Sequence, residues 1–216
     1  MKIYMIGMEE HPISQMYMRS VLPSWKKHNY TVEIFPAITP KDLYKKHKLE
    51  FGLKSSRKGK REFTPTEKSV WYSHFELWCK CYRNKEPILI IEHDSKLVKP
   101  LPEMKTEGYK FLSYIDRDFG NFQGRHIAPG SGYYITPNIA SRLIAPAVSS
   151  VLLQNSDGHL GTFLNLKRQK TMNDFHYIEQ INIDGLNTID HKNPHRKFIG
   201  LDYENLDLPG IYGKAI

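Results

Sequence analysis

The residues best placed to do chemistry are two carboxylates at the end of an apolar run, Ile88-Leu89-Ile90-Ile91-Glu92-His93-Asp94. An uninterrupted apolar run of this length predicts a strand buried on both faces. Ligands of α/β folds bind beyond the carboxyl ends of such strands. If the backbone stays extended, Glu92 and Asp94 point the same way and His93 faces the other side. Two carboxylates on one side can share a hard divalent ion, which in turn can neutralise a diphosphate. A solvated acidic turn would use the same three residues, so the triplet needs support from its surroundings.

A second chemical feature is charge. Lys and Arg number 31 against 23 Asp and Glu, a net charge of +8. Between Lys41 and Arg61 lie nine basic residues and only two acidic ones, Asp42 and Glu50, so this segment carries a net +7. Its second half, Gly52 to Arg61, is poor in apolar residues and is expected to be a mobile basic loop. Lys45, Lys46, Lys48, Lys54, Arg57, Lys58, Lys60 and Arg61 are the candidate contacts to a polyanion, since each phosphate contact releases counterions and adds salt-sensitive affinity. Nucleic acid and anionic lipid headgroups both suit it. A solvated loop kept for solubility is the alternative.

These groups must be carried by regular elements. Lys2 to Gly7 reads as a first strand, and Met16, Met18, Val21, Leu22 and Trp25 give a helical spacing from Ser14 to about Lys27, which Pro23 interrupts late. Tyr30 to Phe35 alternates like a strand and stops at Pro36. A β-α-β opening of this kind begins a parallel sheet covered by helices. Thr64-Pro65-Thr66-Glu67 offers a Thr N-cap, Pro at the first helical position and Glu at the third. Trp71, His74, Phe75, Trp78 and Tyr82 then share one face, so this helix is expected to be buried against the sheet. Tyr109 to Ile115 and Gly132 to Thr136 read as further strands. Thr136-Pro137 opens a helix through Leu143, and Asp157 is placed to cap another from Gly158 to Leu166. The polar, turn-rich stretch past Asp184 reads as a C-terminal tail (184–216) laid over one domain spanning 1–216.

Composition bounds the class. With 216 residues, 40% of them apolar and 25% charged, the chain suits a globular α/β protein and not a disordered tail, coiled coil or collagen-like rod. Its longest apolar runs, Ile88 to Ile91 among them, fall far short of the ~20 residues of a membrane span. The start is too acidic and too short in its apolar part for a signal peptide, so a cytoplasmic location is expected, host cytoplasm if the protein is viral. Cys79 and Cys81, separated by one residue in a helix, cannot form a disulfide framework and suit a reducing cytosol.

The order Phe63-Thr64-Pro65-Thr66-Glu67, then Ser73-His74, then Ile88 to Asp94, resembles the core signature of family 25 glycosyltransferases, the lipopolysaccharide-biosynthesis type. Ser131-Gly132-Tyr133-Tyr134-Ile135-Thr136 with Ala140 and Leu143 is similar to the family's Gly-x-x-x-Tyr-x-Ile segment, and Asn155 to Leu160 to its later Asp-containing motif. The likeness runs over roughly residues 1 to 165. Two departures stand out: Gly7-Met8-Glu9-Glu10-His11 replaces an Asn-Leu pair followed by spaced arginines, and His93 replaces the middle Asp of an acidic triplet.

The resemblance implies a GT-A-like fold and transfer from a nucleotide sugar to a hydroxyl, with inversion at the anomeric carbon. It implies a divalent ion, Mn²⁺ or Mg²⁺, on Asp94 and Glu92, with His191 or His195 completing the shell. Asp157, or else Glu92, would take the acceptor's proton. Donor contacts would come from Ile6, Gly7, Met8, Ser73, His74, His93 and Tyr133, although the spacing also allows His74 to be a buried structural residue. For the acceptor, the central basic segment favours DNA carrying hydroxymethylated cytosine, as in bacteriophage DNA-modifying enzymes, over lipooligosaccharide. A nucleic-acid-binding module with a decayed transferase site, His93 being its trace, is the non-enzymatic alternative.

Overall fold

A computed structural model describes residues 1–42, 65–116, 125–148, 156–164 and 175–181. The first sheet takes β1 (Lys2–Gly7), β2 (Val32–Pro36), β3 (Ile88–Glu92), β5 (Tyr109–Phe111) and β8 (Gly132–Ile135) in the order β2-β1-β3-β8-β5. β1 pairs in parallel with β2 and β3, whereas β8 runs antiparallel to both β3 and β5. Four of the five strands therefore point one way. Helix α1 (Pro12–Lys27) covers one face; α2 (Pro65–Asn84), α3 (Pro137–Val148) and α4 (Ser156–Phe163) cover the other.

Strand alternation explains the three layers. Ile88 and Ile90 pack with Trp71, Trp78 and Leu143 on the α2 face, and Leu89 and Ile91 with Met18, Val21 and Trp25 on the α1 face. The expectation of a strand buried on both sides holds for β3. The helices depart in detail. α1 begins at Pro12, because the His11 ring nitrogen accepts from Ser14 N at 3.4 Å and Pro12 takes the first helical position. It also continues through Pro23, which is exposed, as is Arg19, whose carbonyl lacks the usual N–H partner there. On α2, Tyr82 is 44% exposed, and Leu77 and Cys81 take the buried positions instead. α4 starts at Ser156, so Asp157 lies in its first turn rather than ahead of it.

One expected strand is two. Tyr109 to Ile115 divides into β5 and β6 (Ser113–Asp116), and β6 belongs to a second sheet of order β4-β9-β6-β7, with β4 at Ser95–Leu97, β7 at Arg125–Ile127 and β9 at Ile178–Gln180. Leu112 is the exchange point. Its N–H donates to Gly132 O in the first sheet, and its carbonyl accepts from Tyr177 N and Ile178 N of the second.

The helix layer contains a buried imidazole whose titration should be measurable. His159 is fully buried, stacks on Trp78 at 5.0 Å and donates through Nε2 to Leu143 O at 3.0 Å. Burial pushes its pKa down to about 4. The unfolded chain would protonate this ring near 6.5, so stability falls as pH drops from about 6.5 to 4, by roughly 3 kcal/mol in all. Urea midpoints at pH 7 and pH 4.5 should differ less for His159→Phe than for the parent protein. An unchanged pH dependence in that variant would show that His159 titrates normally.

Candidate active site

Three elements end together at the carboxyl edge of the sheet. β1 finishes at Gly7, whose carbonyl accepts from Ala37 N at 2.9 Å, so the chain leaving β2 stays beside the end of β1. β3 finishes at Glu92. α2 runs antiparallel to these strands: its last residue, Asn84, precedes β3 by three residues at the amino edge, where Lys2 and Glu86 pair at 2.9 Å. Twenty residues of helix span about 30 Å, which brings its N-terminal half back to the carboxyl edge. Glu67 sits buried in its first turn, where the helix dipole favours an acid.

Glu92 is the centre of the arrangement. Its side chain is 24% exposed, and both oxygens are held: His74 Nε2 lies 3.3 Å from Oε1, and Ser131 Oγ donates to Oε2 at 3.4 Å. An ionised carboxylate only accepts, so Nε2 carries the hydrogen in the first contact. His74 is itself fixed from behind. Its Nδ1 is 2.9 Å from the Tyr133 hydroxyl, and that oxygen accepts from Trp78 Nε1 at 2.8 Å. His74, Trp78 and Tyr133 are all buried. Burial alone would raise the pKa of Glu92; the hydrogen bond and charge of His74, helped by His93 and Ser131, outweigh it and leave the carboxyl below its ordinary value. The group is therefore an anion at neutral pH, oriented by two donors and still reachable from solvent.

His93 and Asp94 do not continue the strand. They form a turn before β4, stabilised by Glu92 N, which donates to Ser95 Oγ at 3.2 Å and to Ser131 O at 3.3 Å. The extended backbone required to align Glu92 with Asp94 is thus absent, which corrects that part of the sequence reading. Asp94 Oδ2 accepts from Gln180 Nε2 at 3.0 Å, and its carbonyl accepts from Ile181 N, tying the turn to β9. His93 faces α1, as the reading allowed: its Nδ1 is 3.3 Å from Ser14 Oγ, and its ring lies 5.4 Å from that of Tyr17. Ser14 Oγ also accepts from Met8 N at 2.9 Å, so His93 and the loop after β1 share one hydroxyl. Burial pushes the His93 pKa down to about 4, with Glu92 acting against it, and the ring is neutral at physiological pH.

Several residues expected at the donor make hydrogen bonds within the protein. Ser73 Oγ accepts from Ile38 N and donates to Ser69 O, both at 2.9 Å, clasping the chain after β2 to α2. Ser73, His74, Tyr133 and Ile6 are buried, at most 6% exposed. Gly7 is buried too, and a Cβ there would lie 2.7 Å from Met18 Sδ, so glycine lets α1 approach β1. Met8, half-buried, and His93 remain at the edge itself. Ser131, Ser14 and Gln180 were not singled out from sequence. Ser131 opens the quoted Gly-Tyr-Tyr segment, but nothing local marks it as the partner of a carboxylate 39 residues earlier.

Residues 1–123 match the family model described as glycosyltransferase family 25 (LPS biosynthesis protein). The chain belongs to glycosyltransferase family 25. This family 25 glycosyltransferase is an enzyme, and its membership implies a nucleotide-sugar donor. Among solved structures it is similar to a glycosyltransferase involved in the glycosylation of the major capsid of PBCV-1, with a TM-score of 0.39 and 10% identity over 78% of each chain. No curated protein sequence matches it. No helix among the described residues is long and apolar enough to cross a membrane.

The fit to a divalent ion can be tested on the donor atoms. Among the described residues, no group of three His, Cys, Asp or Glu side chains could hold a metal. Glu92 is engaged by His74 and Ser131, and Asp94 by Gln180. The described residues alone therefore do not make a metal site, and His191 and His195 lie outside them. The side chain of Asp157 and the basic residues Lys45, Lys46, Lys48, Lys54, Arg57, Lys58, Lys60 and Arg61 also lie outside them.

Proposed function

We propose that this family 25 enzyme transfers a sugar from a nucleotide sugar to a hydroxyl on a polyanionic acceptor, DNA bearing hydroxymethylated cytosine being favoured. What supports the acceptor reading is the charge of the sequence that links β2 to α2, most of which lies outside the described residues. The segment from Lys41 to Arg61, net +7, leaves the end of β2 and returns at the start of α2. Both flanks are at the carboxyl edge that holds Glu92: Ile38 is bonded to Ser73 of α2, and the Thr39–Asp42 turn is closed by Asp42 Oδ2 on Thr39 N. Phosphates bound there would position an acceptor over the carboxylate without reading sequence. The hydroxymethyl group of such a cytosine projects into the major groove, and a base buried in the duplex could be flipped instead.

In the proposed step, Glu92 takes the proton of the acceptor hydroxyl as its oxygen attacks the anomeric carbon. The bond from that carbon to the phosphate oxygen breaks, and the nucleoside diphosphate leaves with the electron pair. A single displacement inverts the anomeric centre. Asp157 is the alternative base. A divalent ion, Mn²⁺ or Mg²⁺, would offset charge on the leaving diphosphate; Asp94 would hold it together with His191, which lies outside the described residues, while Glu92 acts as the base, and no step above is routed through the ion. Lipooligosaccharide is the second acceptor reading, favoured by the lipopolysaccharide-biosynthesis description of the family.

The test is nucleoside diphosphate release from a panel of nucleotide sugars, with hydroxymethylcytosine duplex, unmodified duplex or lipooligosaccharide as acceptor. Release stimulated only by the modified duplex supports the proposal. Stimulation by lipooligosaccharide alone replaces the acceptor. Salt-sensitive DNA retention without turnover would overturn the catalytic reading in favour of a binding module.

A further inference from the structure

We propose that His74 is a positioning residue for the transfer reaction, holding the Glu92 carboxylate in its reacting orientation, and that Tyr133 and Trp78 form the support that fixes His74. The inference rests on the reading of Glu92 as the group that accepts the acceptor's proton. It starts from a polar chain where packing alone would be served by apolar residues. Trp78 Nε1, the Tyr133 hydroxyl, the His74 ring and Glu92 Oε1 follow one another at 2.8, 2.9 and 3.3 Å. The first three are at most 1% exposed and stand among the apolar side chains that fill most of the space between α2 and the sheet. Buried polar groups carry a desolvation cost that a phenylalanine or leucine would avoid. A chain in which each link fixes the next, ending on a partly exposed acid, is the arrangement that orients a reacting group.

The geometry gives each link a separate task. The two rings of His74 and Tyr133 stack at 5.7 Å and 28°, so Tyr133 restricts the imidazole by contact as well as by its hydroxyl. Trp78 holds the hydroxyl from α2, the same helix that carries His74 one turn earlier. Tyr133 stands on β8, where it pairs with Ile90 of β3, two residues before Glu92. The support therefore spans the same helix and strands that deliver the acid. Ser131 on the other carboxylate oxygen completes the restraint of its plane.

Outer partners of a reacting group are expected to affect activity by about 10- to 100-fold. His74→Leu should lower kcat by roughly 100-fold with the donor KM unchanged. His74→Gln, which keeps an N–H in reach of Oε1, should recover most of that loss. Tyr133→Phe should lower kcat about tenfold, but it also strands the Trp78 N–H and so disturbs folding. Tyr133→Phe combined with Trp78→Phe removes the stranded Trp78 N–H, although His74 Nδ1 still lacks its partner and the smaller ring leaves a void. The double variant should differ from Tyr133→Phe in thermal stability yet keep the same kcat defect.

A kcat that changes along with stability in the double variant would reduce the chain to a structural role, as would equal activity of His74→Leu and His74→Gln. A rise in donor KM at constant kcat would overturn the inference in favour of donor binding. If the unaltered enzyme releases no nucleoside diphosphate from any donor, the reading of Glu92 falls and takes this one with it. Turnover by the unaltered enzyme with a fully active His74→Leu variant overturns the positioning role alone.

Discussion

Glu92→Gln is expected to lower kcat by about a thousandfold while leaving the fold and the donor KM in place. General base catalysis contributes on the order of 10²- to 10⁴-fold, and the substitution removes the base without removing shape. An amide oxygen can still accept from His74 Nε2, which is 3.3 Å from Oε1, and the side chain is only partly buried at 24% exposure. The thermal midpoint should therefore move by no more than a few degrees. Steady-state release of nucleoside diphosphate, with the circular dichroism melt of the same preparation, checks both halves. Retention of more than a tenth of kcat would transfer the role to another carboxylate, Asp157 being next.

Neutralising Lys58, Lys60 and Arg61 together is expected to separate acceptor binding from chemistry. Each phosphate contact to duplex DNA contributes about 0.9 to the slope of log affinity against log salt. Loss of three such contacts should flatten that slope by about 2.7 and raise KM for modified duplex on the order of a hundredfold at 0.1 M salt. With acceptor in excess, kcat should be unchanged, since Glu92 and its supports are untouched. The measurement is KM for the duplex at a series of salt concentrations. An unaltered slope would show that the +7 segment is not where DNA lies.

What sequence made legible was local and periodic. The run from Ile88 to Ile91 identified β3 because both faces of a central strand need apolar residues, and helical spacing identified α1 and α2. The division of residues 109 to 115 was invisible for a physical reason. No Gly or Pro interrupts Tyr109 to Ile115, and the exchange at Leu112 is decided by Gly132, Tyr177 and Ile178, remote in the chain. The turn at His93 and Asp94 was hidden in the same way, because Ser131 holds Glu92 N from 39 residues away. Spacing placed His74 on a buried face but could not say that its outward nitrogen would meet Glu92. The acids were visible as residue types; their separate orientations came from tertiary contacts.

The most direct test of the central claim is to follow transfer to a hydroxymethylcytosine duplex by mass spectrometry of its nucleosides, for the unaltered enzyme and for Glu92→Gln. The account predicts a sugar-bearing cytosine that accumulates with the former and not with the latter, alongside equimolar nucleoside diphosphate. Equal accumulation with both proteins, or diphosphate release that no polyanionic acceptor stimulates, would contradict it.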